Sequence, residues 1–127
     1  MRRSLHVLIA AVALGVGACA TPLPPRVGVA DMRALVGSYS GSMKEYGTTP
    51  RPATITIRPD NSFEVTAGGP EGFRTSGVIA TTVDGRLVWQ AGQTKGHAAV
   101  YEGDGRRVIV FQRDDGSSTT TVERRLP

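Results

Sequence analysis

Ala53-Thr54-Ile55-Thr56-Ile57-Arg58-Pro59-Asp60-Asn61-Ser62-Phe63-Glu64-Val65-Thr66-Ala67 decides how the rest of this 127-residue chain is read. Ala53, Ile55 and Ile57 alternate with threonines, and Phe63, Val65 and Ala67 alternate with Glu64 and Thr66. Side chains in a strand point to opposite faces in turn, so each half presents one apolar face and one polar face. Pro59-Asp60-Asn61 between them suits a three-residue hairpin loop ending in a residue that tolerates positive φ. That loop sets Ile57 against Phe63, Ile55 against Val65 and Ala53 against Ala67, gathering every apolar residue on one side.

The same punctuation recurs at Val83-Asp84-Gly85, Gly103-Asp104-Gly105 and Asp114-Asp115-Gly116. Read as three-residue loops, they pair Ile79 with Trp89 and Thr81 with Leu87, then Val100 with Val108 and Ala98 with Val110. The last loop then pairs Val108 with Val122 and Val110 with Thr120. Adding strands at Leu35 to Met43 and Phe73 to Val83 gives eight in simple succession. The expectation is an all-β domain, a small eight-stranded antiparallel up-and-down barrel, with a β-sandwich as the alternative. Its inward set is Tyr39, Ile55, Ile57, Phe63, Val65, Phe73, Ile79, Leu87, Trp89, Val100, Val108, Val110 and Val122. In this register Tyr101, Ile109 and Phe111 face outward together, a contiguous apolar patch of the kind that marks a partner surface. Burial of these residues under the preceding segment is weighed equally. The loop from Lys44 to Pro52 places Tyr46 and Arg51 at the rim of a cup.

The beginning of the chain has another character. Arg2 and Arg3 precede an apolar run from Leu5 to Ala18 that closes on Val16-Gly17-Ala18-Cys19. A positive start, a short apolar stretch and small residues make a secretory signal peptide. The run falls short of the roughly 20 residues a spanning helix needs. With the chain's single cysteine placed directly after the small residues, the segment resembles the lipobox of bacterial lipoproteins. An ordinary signal cleaved near Ala18 or Ala20 and a badly matched membrane anchor are the alternatives. The resemblance implies cleavage before Cys19, a thioether to diacylglycerol on its sulfur, and acyl chains that hold the protein to a membrane. Ala20 in the next position implies sorting to the outer membrane, facing the periplasm. Arg2-Arg3-Ser4-Leu5 matches a twin-arginine start incompletely, so general secretion is expected. The organisation is then a signal peptide over 1–18, a lipidated, proline-rich tether over 19–34, and a barrel domain over 35–127.

Leu35-Val36-Gly37-Ser38-Tyr39-Ser40-Gly41 resembles the Gly-x-Trp opening of lipocalins and related calycin barrels, with Tyr39 in the tryptophan's place. That likeness implies an aromatic plug at the closed end, covered by a basic residue of the last strand, Arg124 or Arg125. It also implies binding of a small apolar ligand or lipid, for which Trp89, Phe73, Ile79 and Tyr39 are the candidate contacts.

Composition narrows the remaining classes. The formal charge of +4 falls to about +2 once Arg2 and Arg3 leave with the signal, and the other basic residues alternate with acids. Nucleic-acid binding, which wants a basic stripe with aromatic partners, is not expected. His97 has no nucleophile motif around it, and zinc wants clustered His or Cys. Asp104, Asp114 and Asp115 fall in turns that favour aspartate for its local hydrogen bonds. Gly68-Gly69-Pro70-Glu71-Gly72 lacks a phosphate loop's lysine and helix. The expectation is a non-catalytic envelope lipoprotein without cofactor or metal. Its partners are the membrane through Cys19 and a small apolar ligand. An envelope protein at the Tyr101–Ile109–Phe111 patch is one alternative, and a purely structural role the other.

Overall fold

The computed structural model describes residues 22–69 and 72–127. The expected signal peptide, Cys19, and the pair Pro70 and Glu71 lie outside the described residues. Among the described residues, nine strands run in order: β1 (Arg26–Val27), β2 (Gly37–Glu45), β3 (Arg51–Ile57), β4 (Ser62–Ala67), β5 (Phe73–Thr81), β6 (Leu87–Ala91), β7 (Thr94–Gly103), β8 (Arg106–Arg113) and β9 (Ser118–Arg125). A single 3-10 turn, Met32–Leu35, precedes β2, with the Asp31 side chain accepting from the Arg33 amide at its start. Each of β2 to β9 pairs antiparallel with the next, and β2 also pairs with β9, so the eight close into an up-and-down barrel. The sandwich alternative is thereby excluded. Closure leaves these strands no open ladder between first and last.

Two hairpins carry the expected register. Ile57 faces Phe63 and Ile79 faces Trp89. Asn61 (φ 70°) and Gly85 (φ 82°) take the left-handed position that ends each loop. The other two differ by one residue. At β7–β8 the loop is only Asp104-Gly105, both at positive φ (54° and 74°), and Gly103 pairs with Arg106. Two residues with positive φ form a type I′ turn, whose twist matches that of the flanking strands. At β8–β9 the loop is residues 114–117, because the Ser117 carbonyl is taken by the amide of Tyr46.

A slip of one residue turns a strand over. Ile109 therefore faces Val100 and Val122, and Phe111 faces Ala98 and Thr120, instead of Val108 and Val110 doing so. Ile109 is completely buried and Phe111 nearly so, both in the core. The outward patch of Tyr101, Ile109 and Phe111 does not exist. Only Tyr101 of the three keeps an outward, half-buried place. The two slips cancel at β9, leaving Val122 inward as expected.

The core holds Leu35, Tyr39, Met43, Ile55, Ile57, Phe63, Val65, Ile79, Leu87, Val100, Ile109, Phe111 and Val122. Glycines at barrel corners let neighbouring strands approach. A Cβ at Gly41 or Gly77 would strike the carbonyl of Thr121 or Gln90 on the adjacent strand. Strand glycines of this kind mark tight bends where a sheet curls to close.

Residues 22–34, expected as a tether, are instead packed on the barrel from Pro22 onward. Arg106 Nη2 donates to the Pro22 carbonyl at 2.6 Å, and the Glu102 amide donates to the Pro25 carbonyl at 3.0 Å. β1 pairs with Val100 and Tyr101, the stretch of β7 that the short β6 leaves uncovered. The Val29 amide then bonds to the Gly85 carbonyl, and Met32 and Leu35 enter the core. The strap exists because β7 outruns β6 and its edge would otherwise be bare.

Candidate functional site

The two ends of the barrel are built differently. One is plugged. Tyr39, fully buried, donates its hydroxyl to the Leu35 carbonyl at 2.9 Å. The Arg124 guanidinium lies 4.9 Å above the Tyr39 ring and donates to the Val36 carbonyl at 2.9 Å. Cation and ring face attract, and the ring's burial strengthens the pairing. Arg107, almost fully buried, reaches the Glu102 carboxylate at 2.5 Å and the Ala34 carbonyl at 2.5 Å. Burial works against its charge, but hydrogen bonds to Tyr39 and Glu102 outweigh this and hold its pKa above the ordinary arginine value. Of the two basic residues expected over the plug, Arg124 takes that place and Arg125 points out to solvent.

The opposite end is open onto a cavity of about 290 Å³. Its wall is chiefly apolar: Met43, Ile55, Phe63, Val65, Phe73, Trp89, Ala91 and Phe111. Polar groups gather at its lip, where Glu45, Thr94, Arg113 and Ser118 stand at the strand ends. Alternation explains the membership. Tyr39, Gly41, Met43 and Glu45 share the inner face of β2, so the strand runs from plug to mouth through one row of side chains.

Trp89 is held in place from three sides. Its indole Nε1 donates to the His97 carbonyl at 3.1 Å, and its ring meets Phe63 edge-on at 6.2 Å. Gly96 lies directly opposite in β7, and a Cβ there would come within 2.6 Å of the indole. The missing side chain is what lets the ring lie flat against the wall. At the rim, Phe73 is 36% exposed and lies 5.1 Å beneath the Arg51 guanidinium, which pairs with Glu45 at 2.5 Å. Arg113 pairs with Asp115 at 3.3 Å, while its buried Nε has no hydrogen-bond partner.

Of the candidate ligand contacts, the structure brings Trp89 and Phe73 together on the cavity wall. Ile79 is buried towards the plugged end and Tyr39 is the plug itself; neither lines the cavity. Arg51 is at the rim as expected, whereas the Tyr46 ring stands out in solvent at 89% exposure. Met43, Ala91, Phe111 and Arg113 were missed. Met43 was legible from its parity with Tyr39, while Phe111 and Arg113 needed the register of β8.

His97 is on the outer surface, its Nδ1 2.7 Å from Asp114 Oδ1. Among the described residues, no group of three His, Cys, Asp or Glu side chains gathers as a metal site would require. No family model, curated protein or solved structure matches the chain.

Proposed function

We propose that this is a lipid-anchored envelope lipoprotein whose barrel binds one small apolar ligand, such as the hydrocarbon chain of a lipid, without chemistry of its own. The observation that carries the reading is the apolar cavity at the open end. Ligand pockets are concave, mostly apolar and furnished with a few polar groups at fixed points, and they start near 300 Å³. With liquid water occupying about 30 Å³ a molecule, a cavity of about 290 Å³ equals the volume of roughly ten waters. The plugged end, with an aromatic ring under an arginine of the last strand, adds to the likeness with calycin barrels that Gly37 and Tyr39 suggest. The interaction-module alternative has lost its surface patch, since Ile109 and Phe111 are core residues. The signal and lipobox pattern at Cys19 supports the envelope location.

Trp89 is the chain's only tryptophan and stands in the cavity wall, so its emission reports occupancy directly. Titration with straight-chain carboxylates from hexanoate to palmitate should give a saturable change, strongest at intermediate length. Ala91→Leu, which fills the cavity, should abolish that change while leaving the unfolding midpoint close to wild type. Absence of a saturable change across the whole series would overturn the proposal.

A further inference from the structure

We infer that the plugged end of the barrel is the face turned to the membrane and that the ligand mouth opens away from it. This rests on the lipid-anchor half of the proposed function and is independent of what the cavity binds.

The strap is fastened to the plugged end at its first described residue, where Arg106 holds the Pro22 carbonyl. Cys19 is three residues earlier, and an extended chain spans at most about 3.5 Å per residue, so the anchor reaches about 10 Å from Pro22. The mouth is farther off than that. β2, nine residues long, rises about 3.3 Å per residue and tilts about 40° from the barrel axis, which separates the two ends by roughly 20 Å. Acyl chains on Cys19 therefore cannot enter a bilayer that the mouth faces head-on.

The plugged end presents both charged and apolar side chains. Arg26 and Arg125 are exposed there and have no acidic partner among the described residues. Leu23, 49% exposed, adjoins the anchor, and Val83 stands fully exposed at the tip of the β5–β6 loop. Arginines beside projecting aliphatic groups can meet headgroups and hydrocarbon, although exposed Asp60 and Asp104 at the same end offset their charge. The mouth also carries exposed cations without an acidic partner among the described residues, Lys44 and Lys95, beside the exposed Tyr46 ring, so side-chain character does not separate the two ends and the reach of the anchor does.

The test uses the full chain purified from membranes. Mass analysis of its N-terminal peptide first shows whether Cys19 carries lipid. Single thiols are then introduced at the plugged end (Arg125→Cys, Val83→Cys) and at the mouth (Tyr46→Cys, Thr48→Cys), two per end so that one poorly folding variant does not decide the matter. Each is labelled with a fluorophore in vesicles of phosphatidylethanolamine and phosphatidylglycerol containing nitroxide-bearing lipid. Labels at the plugged end should be quenched at least threefold more strongly than those at the mouth. Equal or reversed quenching on a lipidated chain overturns the orientation alone. A Cys19 without lipid overturns the anchor and this inference together, and leaves ligand binding standing.

Discussion

Arg124 lays its guanidinium across the space that a side chain at Gly37 would fill. Gly37 takes φ of +143°, a conformation open to glycine and strained for other residues. The opening glycine of β2 thus has two duties, turning the chain out of the 3-10 turn and leaving room for the cation over Tyr39. Gly37→Ala should lower stability by about 2 kcal/mol in urea unfolding, the usual scale for such backbone strain. Adding Arg124→Ala should cost less than the two separate losses combined, because the second change removes the obstacle met by the first. Strict additivity would show that the two residues are not coupled.

Tyr39→Phe removes one buried hydroxyl and leaves the Leu35 carbonyl without its 2.9 Å donor. The expected cost is about 1–2 kcal/mol. Titration of the cavity should be unaffected, since Tyr39 does not line it. Loss of Trp89 response to decanoate in this variant would mean that plug and mouth communicate.

Phe111→Ala separates the observed register from the one first read off the loops. Buried at the barrel centre and 6.0 Å from Phe63, this ring should cost about 3 kcal/mol or more on truncation. A ring on the surface would cost a few tenths. Equilibrium denaturation gives the answer.

Acid should destabilise the turns. The Asp60 carboxyl is held below its ordinary value of 3.8 by the hydroxyl and amide of Ser62, and Asp84 by the Thr82 hydroxyl. The Ser117 amide does the same for Asp115. Each binds a proton more weakly in the folded chain than in the unfolded one. Their contribution is therefore complete above about pH 5 and fades as pH falls below 3.8 towards the lowered folded values. The unfolding midpoint should be level near neutrality and decline below about pH 4, and Asp84→Asn should flatten that decline. All three groups are exposed, so high salt should weaken the effect.

The barrel was legible because alternation and loop chemistry agreed at β3–β4 and β5–β6, where Asn61 and Gly85 finish three-residue loops. At β7–β8 the sequence Gly103-Asp104-Gly105 offered two turns of different length. The choice depended on contacts no local pattern contains: Gly103 passes beneath Pro24, whose Cβ a side chain there would approach to 3.0 Å. At β8–β9 the deciding partner of Ser117 was Tyr46, far away in sequence. The cavity was half legible for the same reason. Phe73 and Trp89 come from hairpins set by their own loops, whereas Phe111 and Arg113 come from the strand whose face was decided by distant segments. The strap was read as a tether because prolines announce extended backbone and say nothing about what that backbone rests on.

The strap also bears on how such a chain reaches its folded state. Pro22 bonds to Arg106, Ala34 to Arg107 and Val36 to Arg124, across separations of 84, 73 and 88 residues. Contacts this non-local make assembly slow, because nearly the whole polypeptide must be present before they can form. Because β2 pairs with β9, the barrel cannot seal until the last strand is available, so closure is the final step of assembly.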